Sequence, residues 1–205
     1  MDKISYALGM SLAQSMIAQG VSSLHFDDFI SGVKTVYLNR TPKIDVNEGN
    51  DLLNKFFAEV KNRKEEADKK EREENLKFAE EYLKENLKVE GMNETASGLQ
   101  FKVIREAKGN PYKSPTAHDR VKCHYEGRLT DGTVFDSSYQ RGEPAVFSLE
   151  QVIPGWTEGL QLMGVGEKYE FIIPPALGYG EVGIPGHIPG NSVLTFTVEL
   201  LEIMK

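Results

Sequence analysis

The stretch that decides the fold is VKCHYEGRLTDGTVFDSS, residues 121–138. Val121, Cys123 and Tyr125 alternate with polar neighbours, as a strand with one buried face requires. Asp131 and Gly132 then form a turn pair. Beyond the turn, within GTVFDSSYQRGEP (132–144), the chain sets Phe135, Asp136, Ser137, Ser138, Tyr139 and Arg141 close together. Two aromatics, a carboxylate, two hydroxyls and an arginine beside a turn suit a catalytic site, a binding cleft or an ordinary polar loop. The rest of the chain has to choose among them.

The strand pattern continues on both sides. Leu99, Phe101 and Val103 alternate, and SVLTFTVELLEI (192–203) puts Leu194, Phe196, Val198 and Leu200 on one face. Between them PGWTEGLQLM (154–163) has helical spacing, with Pro154 at the first turn, where a missing N–H costs nothing. Residues beyond about 90 therefore read as an antiparallel sheet wrapped on a short helix, and the class is α+β.

Before residue 90 prolines are nearly absent and the periodicity is helical. Ile4, Leu8, Leu12 and Met16 step by about four residues along a first helix that Gly20 stops. Phe26, Phe29, Ile30, Val33 and Tyr37 mark a second, ended by Asn39 and Thr41-Pro42. Asp45 stands three residues before Glu48, a capping-box spacing, and opens a third helix of roughly 40 residues, about 60 Å long. Its apolar groups gather at the two ends, Leu52 to Val60 and Leu76 to Leu87. The run KNRKEEADKKEREEN (61–75) between them offers only Ala67. Mixed charges of this kind predict a solvated spacer laced by i,i+4 pairs such as Glu66–Lys70. Two short helices cannot bury their faces alone, so residues 1–44 are expected to form a homodimer.

Bulk properties narrow the function. The chain has 205 residues, 40% of them hydrophobic, enough for a core. A net charge of −7 argues against nucleic acid and anionic membranes. Cys123 is the single cysteine, so the fold needs no oxidising compartment. No apolar run approaches a membrane span, and MDKISYALGM lacks a basic, apolar leader. The expected location is cytoplasmic, or periplasmic or surface-anchored if an export segment was trimmed.

Familiar chemistries fail by residue type and spacing. Cys123 and His124 are strand neighbours and point to opposite faces, so they make no nucleophile and base. His25, His118, His124 and His187 have no partners at metal-ligand spacing, and no metal or cofactor is expected. GYGEVGIPG (178–186) lacks the Gly-Lys-Ser/Thr ending of a phosphate loop. Asp131 and Asp136 lack the aromatic company of a glycosidase pair. What remains is a set of apolar and aromatic residues beside turns, which periodicity alone would assign mostly to the core.

Their order resolves the choice. VKCHYEGRLTDGTVFDSS, then VIPGW, GYGEVGIPGHIP and LTFTVELLEI resemble the FKBP-type peptidyl-prolyl cis-trans isomerases over residues 96–205. The helical part, running through KVEGMNETASGLQFKV (88–103), resembles the dimeric macrophage infectivity potentiator (Mip) subgroup. The resemblance implies a helical dimerisation domain (1–44), a long connecting helix (45–90) and an antiparallel half-barrel curled around one short helix (91–205). It implies Tyr125, Phe135, Asp136, Trp156, Tyr179 and Phe196 as the catalytic cleft, with Arg141 as partner of Tyr125 or Asp136. Arg141, Phe147, Val152, Ile153, His187 and Ile188 would complete the substrate-binding surface. Ala145 and His187 depart from the common pattern. The implied partners are proline-containing polypeptide clients, a second copy of the chain and an FK506-type macrolide. A dimeric holding chaperone that captures proline segments with little catalysis is the alternative. A chain beginning near Gly91 is expected to fold and act by itself.

Overall fold

The computed structural model describes residues 1–107 and 113–204. The expected isomerase domain, 91–205, also includes 108–112 and 205, which lie outside the described residues. Two compact units divide the chain, Met1–Asp68 and Lys69–Lys205.

In the first unit, α1 spans Lys3–Ala18 and is capped by Asp2, whose Oδ1 accepts from Ser5 N–H at 2.7 Å. Gly20, at φ +86°, ends it. A Cβ there would lie 2.6 Å from Val60 Cγ1, so the first and third helices meet closely at this point. Helix α2, Phe26–Tyr37, carries Asp27 and Asp28 in its first turn, where the helix dipole favours negative charge. It stops before Asn39, which takes the left-handed conformation at φ 49°. Helix α3 runs over the 41 residues Val46–Asn86, and Asp45 Oδ1 accepts from Asn47 N–H at 2.8 Å at its start. Within this unit Val21 is buried, while Ile4, Leu8, Phe26, Leu52 and Leu53 remain more than half exposed.

In the second unit a seven-stranded, wholly antiparallel sheet runs β1-β2-β6-β7-β3-β4, with β5 also on β3. The strands are β1 Met92–Glu94, β2 Gln100–Arg105, β3 Arg120–Leu129, β4 Val134–Ser137, β5 Ala145–Ser148, β6 Lys168–Ile173 and β7 Leu194–Met204. One turn of helix, α4 (Ser138–Arg141), follows β4, and a 3₁₀ turn, Pro175–Leu177, follows β6. The short helix predicted after Pro154 is α5, Pro154–Leu160. It lies against the sheet because Gly155 and Gly159 remove the side chains that would intervene. A Cβ at either would stand 2.7 Å from Ile173 Cγ2 or Phe171 Cε1. Leu99, Val121, Cys123, Leu160, Phe171 and Leu200 form the buried centre between helix and sheet.

The second half of α3 belongs to this unit. Ala79 is buried against Ile172 and Val193, with Tyr82, Leu83 and Met92 packed beside them. Gln100 is 1% exposed, and its side-chain amide is satisfied from α3: Nε2 donates to Leu83 O and Oε1 accepts from Asn86 Nδ2, each at 2.8 Å. A chain starting at Gly91 would lose those partners together with the cover that α3 gives Ile172 and Val193. The compact unit itself begins at Lys69, ahead of the boundary expected at Gly91. The i,i+4 pairs also differ from the one expected. Lys70 reaches forward to Glu74 at 3.7 Å, beside Lys69–Glu73 and Lys61–Glu65.

Among the described residues no helix is long and apolar enough to cross a membrane.

Candidate active site

Strand β3 is the spine of the site. Its first half pairs with β5 and its second half with β4, while β7 pairs along its length with a register shift between Lys122 and Cys123. Cys123 and Tyr125 point into the core side of the strand, and burial pushes the Cys123 thiol up to about 12. His124 points the other way, where it stacks on Tyr139 at 4.7 Å and its Nδ1 lies 3.0 Å from Ser138 Oγ.

The two hydroxyls of the opening stretch face the scaffold. Ser138 Oγ accepts from Tyr125 N–H at 2.7 Å and donates to Tyr125 O at 3.1 Å. Ser137 Oγ donates to Glu126 Oε2 at 3.0 Å and accepts from Gln140 N–H at 3.3 Å, capping α4. They pin the turn after β4 to β3 and so fix where Asp136 and Arg141 stand.

Above them lies a cleft of about 460 Å³. The structure brings Tyr125, Phe135, Asp136, Phe147, Val152, Ile153, Trp156, Tyr179, His187, Ile188 and Phe196 to its walls. Trp156, 4% exposed at the start of α5, meets the edges of Tyr125, Phe147 and Phe196 with ring centroids 5.1–5.3 Å apart and planes 76–88° apart. Phe135 meets Phe196 in the same edge-to-face manner at 5.4 Å. Such contacts lock the rings against one another and keep an apolar surface in one shape. Gly127, behind two of these rings, admits them: a Cβ there would fall 2.6 Å from Phe196 Cε1 and 2.7 Å from Phe135 Cζ.

One polar cluster rims the cleft. Tyr125 Oη donates to Asp136 Oδ2 at 2.5 Å, and Arg141 Nη2 donates to Tyr125 Oη at 2.7 Å. Arg141 Nη1 also pairs with Asp136 Oδ1. Arg141, expected among the substrate-binding residues, does not line the cleft; its guanidinium is taken up by Tyr125 and Asp136 together. Burial, joined by the Asp136 carboxylate, pushes the Tyr125 phenol up to about 12. Tyr179 on the opposite lip is also raised, by burial first and by the charge of Asp136 second. The buried Trp156 Nε1 has no hydrogen-bond partner among the described residues.

Gln151 and Ile184 line the cleft as well and were not anticipated. Ile184 carries the signal that singled out Ile188, an apolar residue between Gly183 and Pro185 in a turn-rich segment. Gln151 carries none. Ala145 is half-buried on β5 opposite Cys123, and is no part of the cleft wall. Among the described residues no three His, Cys, Asp or Glu side chains gather as a metal site would require.

An apolar cleft with a hydrogen-bonded rim thus lies between the antiparallel sheet and α5. The chain belongs to the FKBP-type peptidyl-prolyl cis-trans isomerases and is an isomerase of that type. The family's catalytic-domain model matches residues 112–201, and the domain found amino-terminal to it matches 1–103. FkpA of Aeromonas hydrophila is 44% identical over 210 residues, covering 100% of this chain and 76% of that protein. The FKBP-type 22 kDa isomerase of Escherichia coli K12 is 43% identical over 203 residues, covering 98% and 94%. The crystal structure of FkpA from Escherichia coli superposes with a TM-score of 0.78 at 38% identity, over 98% of this chain and 95% of that one.

Proposed function

We propose that this isomerase stabilises the twisted X–Pro amide in its aromatic cleft, without covalent chemistry. Rotation about the amide costs about 18–20 kcal/mol because resonance is lost. At the top of the barrier the amide is less polar than in its planar form, so a dry apolar surface favours the twisted state. Phe135, Trp156 and Phe196 supply that surface. Tyr179 is placed to donate to the substrate backbone, and Asp136, fixed by Tyr125 and Arg141, offers an oriented dipole near the carbonyl. Phe147, Val152, Ile153, His187 and Ile188 grip the flanking residues.

The observation that carries this reading is the rim itself. Both carboxylate oxygens of Asp136 are already engaged by the protein. The group is therefore held as a fixed dipole, unsuited to shuttling protons. Cis/trans exchange of short X–Pro peptides, followed by NMR, tests the mechanism: exchange should accelerate with the full chain, and no acceleration would favour the holding-chaperone reading.

The partners extend from this. Clients are polypeptides with exposed X–Pro bonds, and an FK506-type macrolide fits the same apolar cleft. The exposed apolar residues of α1 and α2 support a homodimer through residues 1–44. A chain starting at Lys69 should be monomeric by light scattering, while the full chain has twice its formula mass.

A further inference from the structure

The loop between the 3₁₀ turn and β7 delivers Tyr179, Ile184, His187 and Ile188 to the cleft. It doubles back on itself. Ile184 and Ile188 exchange N–H···O bonds of 2.8 Å in both directions, and Asn191 N–H reaches Gly180 O at 2.9 Å. The two limbs touch where a Cβ on Gly190 would lie 2.0 Å from Glu181 O. These bonds hold the limbs to each other; a separate set ties the folded loop to α3.

Asn75 Nδ2 donates to Gly190 O at 2.9 Å, and Asn191 Nδ2 donates to Arg72 O at 2.9 Å. Asn191 makes this reach from a left-handed backbone, φ 57°, which asparagine tolerates better than most residues. The Arg72 side chain packs on Gly190, its Cγ 2.9 Å from where a Cβ would stand. Its buried Nε faces Glu181 Oε1 at 3.9 Å, too far for a hydrogen bond but close enough for charge attraction. Arg72, Asn75 and Ala79 are three and four residues apart and so share one helical face. Ala79 continues that face into the buried contact with Ile172 and Val193. The outgoing limb at Glu181 and the returning limb at Gly190 and Asn191 are thus gripped by a single turn of α3. All of this lies within the unit that begins at Lys69.

We propose that Arg72 and Asn75, inside the run 61–75 that reads as a solvated spacer, are positioning residues of the isomerase. They hold the lip loop over the cleft and thereby set the affinity for the proline-containing peptide. The base of the cleft, Phe135, Asp136 and Trp156, comes from β4 and α5 and does not depend on them. Releasing the clamp lowers the fraction of molecules with a competent lip, and apparent affinity falls by that fraction while the rate of the bound complex is kept. The proposal rests on the isomerase reading for its kinetic consequence and on the hydrogen bonds alone for its structural one.

Asn75→Asp in the full chain keeps the side-chain size, removes the donor and sets a carboxylate against Gly190 O. Asn191→Gly removes the second bond and suits the left-handed backbone. Each should raise KM for a short X–Pro peptide about three- to tenfold with kcat within about twofold. The Ile184 and Ile188 amides should exchange faster with deuterium while those of β3 and β7 keep their protection. Unchanged KM and unchanged exchange at Ile184 and Ile188 in both variants overturn the proposal, as does a fall in kcat at constant KM. If Asn75→Asp loosens the whole sheet, Asn191→Gly decides alone. If the unaltered chain fails to accelerate peptide exchange, the isomerase reading falls, and the amide exchange of the loop still decides the clamp.

Discussion

Tyr125 donates its phenol to Asp136 Oδ2 at 2.5 Å, from the strand that precedes the Asp131–Gly132 turn to the strand that follows it. The bond ties the buried floor of the cleft to its polar rim. If Asp136 acts on the twisted amide, Asp136→Ala should cut kcat/KM by about tenfold or more and weaken macrolide binding much less. Peptide kinetics beside a macrolide titration measure both, and equal losses would make Asp136 a binding residue only.

The same pair fixes a pH dependence. The Tyr125 phenol is raised from 10.0 to about 12 in the folded chain. A raised pKa contributes stability that is fully present below the unfolded value and lost as pH climbs through the folded one. Thermal stability should therefore carry no Tyr125 contribution to its slope up to about pH 9 and should fall between pH 10 and 12. In Tyr125→Phe that alkaline fall should shrink, as thermal melts across the range would show.

Trp156→Leu leaves an apolar side chain over the core but removes the flat base of the cleft. It should reduce kcat/KM about three- to tenfold with a melting temperature lowered by only a few degrees. Because Trp156 is the only tryptophan, the emission of the unaltered chain should change when an FK506-type macrolide fills the cleft. A silent titration at saturating ligand would put the macrolide elsewhere.

Gly127→Ala should damage the site from behind. The added methyl would overlap Phe196 and Phe135, whose nearest ring atoms stand 2.6 and 2.7 Å away. Both rings must move, at a cost of about 1–3 kcal/mol. Activity should fall more than it does in a Gly32→Ala control on α2, where nothing lies within 4 Å and the backbone is helical.

Much of this arrangement is legible from the chain alone because strand alternation, the Asp-Gly turn and Pro154 are local signals. The alternation of Val121, Cys123 and Tyr125, and of Leu194 to Leu200, marks the buried face that the sheet uses. Ile184, like Ile188 an apolar residue directly before a proline, carries an equally local signal. Gln100 and Asn75 were out of reach. Each is a polar residue whose partner lies 14 to 115 positions away, and no periodicity announces a long-range amide bond. The charged run 61–75 misleads in the same way, since its composition is that of a solvated helix while one turn of it grips the lip loop.

The central claim is that the cleft itself carries the acceleration, with no nucleophile involved. The most direct measurement is the cis/trans exchange rate of a short X–Pro peptide as an FK506-type macrolide is titrated in, with cleft occupancy followed by Trp156 fluorescence. Acceleration should fall in proportion to occupancy and vanish when the cleft is full. Acceleration that persists in the filled protein would contradict the account.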